Sequence, residues 1–394
     1  MFECDLLIVG MGIAGLATAV ALAKKGKRVA ICDRRTNEFK RWQHIILTPE
    51  SIRTLSDLQQ GSPSEVETQF LYLLRRERGI TAIKDIQRYL YKQLLRLQQS
   101  GNPVIILTNA NIDSITTDKQ GNVNTIKISS AAPPSSLIVN ETRLSQVELK
   151  VQNLICSDGY TRDTFYLLCE QSIDFKPAMA VAAPLYYPHH ASLNVSIQRV
   201  DNQPLVLPRN PVLRLTDQNR FRVLVLRTDS AAKFKEPRTK IKAHYVTEMP
   251  QDPADGVGSH RKDSVRKLLR KDIVDNLCKL NGELSVTLNT SEADSGCQFF
   301  TTPLMKMERP MMHNVICIGD CFLTSRYALS HGANDAIKEA VLVRDLLTGD
   351  ITKSKFEQQM VRLASSRIQE GKIFDEGKSA YVNGLPTVPY NSKY

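Results

Sequence analysis

The chain has 394 residues, 42% hydrophobic and 24% charged, the composition of a globular enzyme with length for two or three packed units. Eight scattered cysteines, with no CxxC pair and no metal-ligand spacing, argue against a disulfide scaffold or a zinc centre and for reduced, mostly buried thiols. The net charge of +11 comes without an RNP, zinc-finger or other nucleic-acid motif, so no nucleic-acid partner is expected.

The N-terminus reads strand, turn, helix, strand. Cys4–Val9 is an apolar strand, Gly10–Gly15 a turn, and Leu16–Lys25 an Ala/Leu-rich helix ended by Gly26. Arg28–Cys32 is a second strand. The run Leu6–Val9 is short, and its glycines mark a turn rather than a signal-peptide cleavage site. With no stretch of ~18 apolar residues, the chain is expected to be cytoplasmic without a membrane span. Secretion by a signal-independent route stays open.

Ile45–Leu47 is a further apolar stretch, with a helix starting near Pro49. Ile83, Ile86, Leu90 and Leu94 recur at helical spacing within 80–99. Strands follow at Val104–Leu107, Ile112–Thr116, Asn124–Ser129 and Leu149–Cys156, the last leading into Ser157-Asp158-Gly159. From Pro177 to Thr302 the pattern alternates, as in Arg220–Leu226, and suggests antiparallel strands with a hairpin turn at Asp217–Asn219. A basic amphipathic helix is expected over Asp263–Leu280, read as a solvated face or as a docking surface for an acidic protein partner. Val315–Ile318 is a buried strand that runs into Gly319-Asp320, and a helix covers Asn334–Leu347. The tail after Lys378 reads as polar and irregular.

Gly10, Gly12 and Gly15 form a GxGxxG in its full context, between a strand and a helix, with Asp33 ending the next strand. Gly10 permits the tight turn, Gly12 lets a pyrophosphate approach the backbone, and Gly15 lets the helix lie close to the sheet. Ile13 and Ala14 begin the helix, whose N-terminus offers N–H groups and partial positive charge to a phosphate. Asp33 can accept hydrogen bonds from a ribose. Position alone suits either FAD or NAD.

Two distant segments decide between them. The GxGxxG, Asp158-Gly159 and Gly319-Asp320 occur in the order found in the flavin-dependent aromatic hydroxylases of the p-hydroxybenzoate hydroxylase group, which the chain resembles. The resemblance implies bound FAD, NADPH or NADH as electron donor, and monooxygenation of an organic or protein substrate. It implies that Asp320 contacts the ribitol and that Gly332, Ala333 and Asn334 begin a helix directed at the flavin's pyrimidine edge. Leu323 and Tyr327 stand where that group has His and Pro, Ser330 replaces a Gly, and Arg162 and Phe165 replace a Ser and an Arg of the central motif.

The run from Asp33 through Arg34 and Arg41 to Leu47, and the helix carrying Gln87, are similar to the flavin domain of the MICAL monooxygenases. That likeness implies that Arg41 and Gln87 contact the cofactor, with Arg88 as the alternative to Gln87 if the register differs by one. A flavin-dependent reductase or dehydrogenase, and a flavoprotein kept as an interaction module, are the other readings. Tyr186, Tyr187, His189 and His190 are candidates to face substrate.

The expected fold is α/β: a Rossmann-type three-layer FAD-binding domain from 1–175 and 303–350, with an inserted antiparallel-sheet substrate domain over 176–302. A C-terminal helical segment and tail, 351–394, complete the chain.

Overall fold

The computed structural model describes residues 2–41, 43–62, 64–76, 79–131, 136–171, 175, 189–199, 212–217, 220–228, 240–249, 267, 271, 273–275, 288–301, 305–324, 331–375, 381–382, 385–386 and 388–389. The first part runs β1 (Phe2–Val9), α1 (Ile13–Ala23), β2 (Val29–Asp33), β3 (His44–Ile46), α2 (Pro49–Asp57), α3 (Glu65–Arg76), β4 (Ile80–Ala82) and α4 (Ile83–Gln99). Then come β5 (Val104–Thr108), β6 (Ala110–Thr117), β7 (Val123–Ser130), β8 (Leu137–Val139), β9 (Thr142–Leu144), β10 (Gln146–Cys156) and α5 (Asp163–Gln171).

β1, β2, β5 and the C-terminal half of β10 run parallel, and apart from the exposed Phe2 and the half-buried Ile105 their apolar residues are buried on both faces, as a sheet covered by helices requires. α1 is buried along its whole length, packed between the sheet and helix α4. Its small residues allow that close approach. β6 and β7 form an antiparallel excursion that returns to the N-terminal half of β10.

A second sheet is built from β11 (His189–Arg199), β12 (Val212–Asp217), β13 (Arg220–Thr228), β14 (Lys240–Met249) and β15 (Leu288–Thr301). Its neighbouring strands among these pair antiparallel. Asp217 pairs with Arg220, so β12 and β13 form a hairpin. Of the basic helix expected over Asp263–Leu280, the described residues Lys267, Lys271 and 273–275 are helical, with both lysines exposed and Ile273 buried. The rest of that segment lies outside the described residues.

The chain then returns to the first sheet through β17 (Met311–Met312) and β18 (Val315–Cys317), which are flanked in sequence by β16 (Met305–Lys306) and β19 (Leu323–Thr324), an antiparallel pair of their own; α6 (His331–Thr348) and α7 (Lys353–Asp375) follow. β18 pairs in parallel with β10, and α6 packs on α1. The C-terminus departs from the irregular tail expected of it. β20 (Tyr381–Val382) pairs with β21 (Leu385–Pro386), and β22 (Val388–Pro389) adds in parallel to β12. Among the described residues no helix is long and apolar enough to cross a membrane.

Val9, Cys32, Cys156 and Cys317 are aligned across neighbouring parallel strands. The C-terminal ends of β1, β2, β10 and β18 therefore form one rim, where ligands of open α/β sheets bind.

Candidate functional site

The three glycines of the first turn do different things. Gly10 has φ +105°, and a Cβ there would lie 2.4 Å from the Ser157 carbonyl oxygen. At Gly15 a Cβ would lie 1.9 Å from the Gly10 carbonyl oxygen, so α1 packs onto its own entry turn. Gly12 has an ordinary φ of −69°, and a Cβ there would meet nothing within 4 Å. Neither conformation nor packing calls for glycine at 12. Gly12 instead lines the open cleft, with bare backbone facing it. Behind it, α1 begins with no side-chain cap and no acidic residue in its first turn, which leaves its N–H groups and positive end directed at the cleft.

That cleft has a volume of about 710 Å³, within the usual range of ligand sites. Gly10, Gly12, Ile13, Ala14, Asp33, Arg34, Arg41 and Gln87 line it from the first segment, Asp158 and Gly159 from the second, and Gly319, Asp320, Gly332 and Ala333 from the third. Three segments distant in sequence thus line one cleft. Gly15, Arg88 and Asn334 do not line it. Gly15 is spent on packing, and Arg88 Nη2 donates to the Phe39 carbonyl at 3.4 Å. Asn334 accepts the Thr48 N–H and donates to the Ile46 carbonyl, each at 2.8 Å, so it fastens the start of α6 to the chain after β3. Between the two registers considered for α4, Gln87 faces the cleft. Its Nε2 donates to the Met11 carbonyl at 2.9 Å, and its Oε1 is buried without a partner among the described residues.

Charge is distributed unevenly around the cleft. Burial raises the pKa of Asp33, but hydrogen bonds and charge from Arg35 and the Met11 N–H outweigh it and hold the carboxyl below its usual range. Arg34 pairs with Asp163 at 2.9 Å, both largely exposed. Asp158 accepts the Thr164 N–H at 2.7 Å, and its pKa is raised by burial. Asp320 and Arg41 both retain accessible surface because they face the open cleft, yet protein encloses their other sides. This enclosure raises the pKa of Asp320, which the charges of Arg41 and Arg162 oppose. Enclosure, and then the charge of Arg35, lower that of Arg41.

Two features of the site were not anticipated from sequence. Arg162, noted only as a departure from a motif, is 1% exposed and has φ +54°, a left-handed conformation that costs a non-glycine residue energy. Its Nε donates to the Cys321 carbonyl at 2.7 Å and its Nη1 to the Tyr160 carbonyl at 2.9 Å. Beneath the Gly319 turn, the carboxyl Oε2 of Glu339 accepts the Gly319 N–H, and burial pushes its pKa up to about 8. Asp335, one turn earlier, is clasped by Arg367 Nε at 2.9 and 3.0 Å. Arg367 also pairs with Glu370, which pairs with His331 at 2.7 Å. The signal for this network was available. Glu339 and Asp335 lie on the same helical face as the apolar residues Ala336, Ala340 and Val343, where an acid needs a specific partner.

Of the segments singled out as departures, Leu323 is buried in β19, while Tyr327 and Ser330 lie outside the described residues. Tyr186 and Tyr187 lie outside them too, and His189 and His190 begin β11.

Residues 5–39 match the family model described as FAD dependent oxidoreductase. PqsL from Pseudomonas aeruginosa, described as a probable FAD-dependent monooxygenase, superposes with a TM-score of 0.61 at 15% identity, covering 95% of this chain and 96% of that one. The fold is that of the FAD-dependent monooxygenases. p-Nitrophenol 4-monooxygenase PnpA from Pseudomonas putida gives 0.61 at 12% identity over 97% and 90% of the two chains. The flavin-dependent brominase Bmp2 gives 0.57 at 11% identity over 95% and 84%. No curated protein matches the sequence.

Proposed function

We propose that the cleft holds FAD and that the chain is an FAD-dependent oxidoreductase, an NADPH- or NADH-dependent monooxygenase of a small organic substrate. The observation that carries this reading is Gly12: an open, ligand-facing glycine at the uncapped start of α1, opposite Asp158-Gly159 and Gly319-Asp320 in one cleft. The family match over residues 5–39 supports it. PqsL has been crystallised with 2-aminobenzoylacetate, which favours a small-molecule substrate over a protein.

Bound FAD supplies two-electron redox chemistry and the activation of oxygen. The residues here do the rest. The N–H groups of α1, with Arg41 and Gln87, are suited to the diphosphate, and Asp33 to the adenosine ribose. Asp320 is suited to the ribitol hydroxyls. The start of α6, at Gly332 and Ala333, directs a positive helix end into the cleft, where negative charge on a reduced flavin would be stabilised. Asn334, Arg162 and Glu339 hold these segments in place from behind.

Anaerobic titration of the FAD-loaded protein with NADPH and then NADH tests this reading. Bleaching of the flavin bands by one of them, followed by substrate-stimulated oxygen uptake, is the expected result. Flavin that neither donor reduces, whatever substrate is present, would overturn the monooxygenase assignment.

A further inference from the structure

The Asp33 carboxylate has more partners than a ribose-binding acid can keep. An ionised carboxylate offers about four lone-pair sites. Here Oδ2 accepts the Met11 N–H at 2.7 Å and Arg35 Nη2 at 3.0 Å, while Oδ1 accepts the Arg35 N–H at 2.8 Å and Arg35 Nε at 2.9 Å. Two of the four donors are backbone groups built into the turn. The other two are the fork of one guanidinium.

That fork and the vicinal diol of a ribose present the same thing to a carboxylate, two parallel donors, one for each oxygen. With the backbone bonds kept, one lone pair per oxygen remains, and either Arg35 or the diol can take both. Arg35 is also the more easily moved partner. Its side chain is 55% exposed and Asp33's only 7%, so the guanidinium can return to water while the carboxylate stays fixed. Arg35 itself lines the cleft.

We propose that Arg35 is a gate on the adenosine end of the cofactor site: its guanidinium occupies the diol position on Asp33 and must swing out before FAD seats. The inference rests on the FAD reading above. Arg35 then works against binding rather than for it, unlike Arg34 or Arg41, which have no bond to Asp33 to give up. Its effect falls on association, because the Asp33 clasp is broken on the way in.

The test is a titration of the full-length protein with FAD, followed by flavin fluorescence, together with stopped-flow association rates. Arg35→Gln and Arg35→Lys are the informative variants. Glutamine removes both the charge and the fork, whereas lysine keeps the charge and loses only the fork. Both should bind FAD faster than the wild type, and Arg35→Gln roughly ten-fold more tightly, with dissociation nearly unchanged. Asp33→Asn should bind more weakly, which locates the effect at this carboxylate. Weaker binding of both Arg35 variants through faster dissociation would make Arg35 a ligand-holding residue and overturn the gate, as would rates equal to wild type. Failure of the wild type to bind FAD at all would instead count against the FAD reading, so the two ideas fail separately.

Discussion

Arg162 Nε donates to the Cys321 carbonyl at 2.7 Å across 159 residues of sequence, and this bond ties the turn after β10 to the turn after β18. The same guanidinium holds the Tyr160 carbonyl, so one buried side chain sets the spacing of two cleft walls. Its left-handed backbone is retained because those bonds over-determine it.

Removing this side chain should therefore be costly. Arg162→Ala leaves the Cys321 carbonyl without its buried donor and should lose about 2–4 kcal/mol in urea denaturation. Arg162→Gly loses the same bonds but relieves the backbone, and should be less damaging by about 1 kcal/mol. Equal stability of wild type and Arg162→Ala would remove its structural role.

The glycines of the first turn should separate folding from binding. Gly12→Ala meets no protein atom and should melt within about 0.5 kcal/mol of wild type while losing FAD affinity. Gly15→Ala drives a methyl into the Gly10 carbonyl and should yield little soluble protein. Thermal melts and FAD titrations on the two variants distinguish them.

Glu339 should shape the pH dependence of stability. Its pKa is raised from an ordinary 4.5 to about 8, chiefly by burial and further by Asp335 and Asp320, so the folded protein prefers its protonated form. Stability from this group is complete below about pH 4.5 and is lost as the pH rises through about 8. The slope is on the order of 1 kcal/mol per pH unit within that window. Asp335, raised to about 6 by burial despite Arg367, adds loss only over the lower part of the same range. Glu339→Gln can keep the acceptor for the Gly319 N–H without ionising. Urea melts should find it close to wild type at pH 5 and more stable at pH 8.5; the same difference at both pH values would contradict this account.

Asn334 should behave as a positioning residue. Asn334→Asp keeps the acceptor for the Thr48 N–H but cannot donate to the Ile46 carbonyl, and should cost about 1–3 kcal/mol. FAD affinity should fall with it, because the start of α6 loses its anchor. Unchanged stability with lost affinity would instead indicate direct contact with the cofactor.

The elements most legible in sequence were those whose signal is local. The strand–glycine–helix unit ending at Asp33 joins an Ala/Leu-rich helix to two buried strands, and no distant residue is needed to recognise it. Asp158-Gly159 and Gly319-Asp320 could be read as motifs, although their shared cleft depends on β10 and β18 lying side by side. The roles of Arg35, Arg162 and Glu339 were not legible because each depends on a pairing that composition and spacing leave open. Arg35 could as well have pointed to solvent, and nothing near Arg162 in the chain announces Cys321 as its partner. Glu339 was the nearest to readable, as an acid on an apolar helix face. The C-terminal strands escaped because two-residue pairings such as Leu213 with Val388 carry no periodicity of their own.

FAD binding is read most directly from the visible spectrum of the purified full-length protein after incubation with excess FAD and gel filtration. Flavin bands should co-elute with the wild type at close to one FAD per chain and be strongly reduced in Gly12→Val. A folded wild-type protein that elutes colourless would contradict FAD binding.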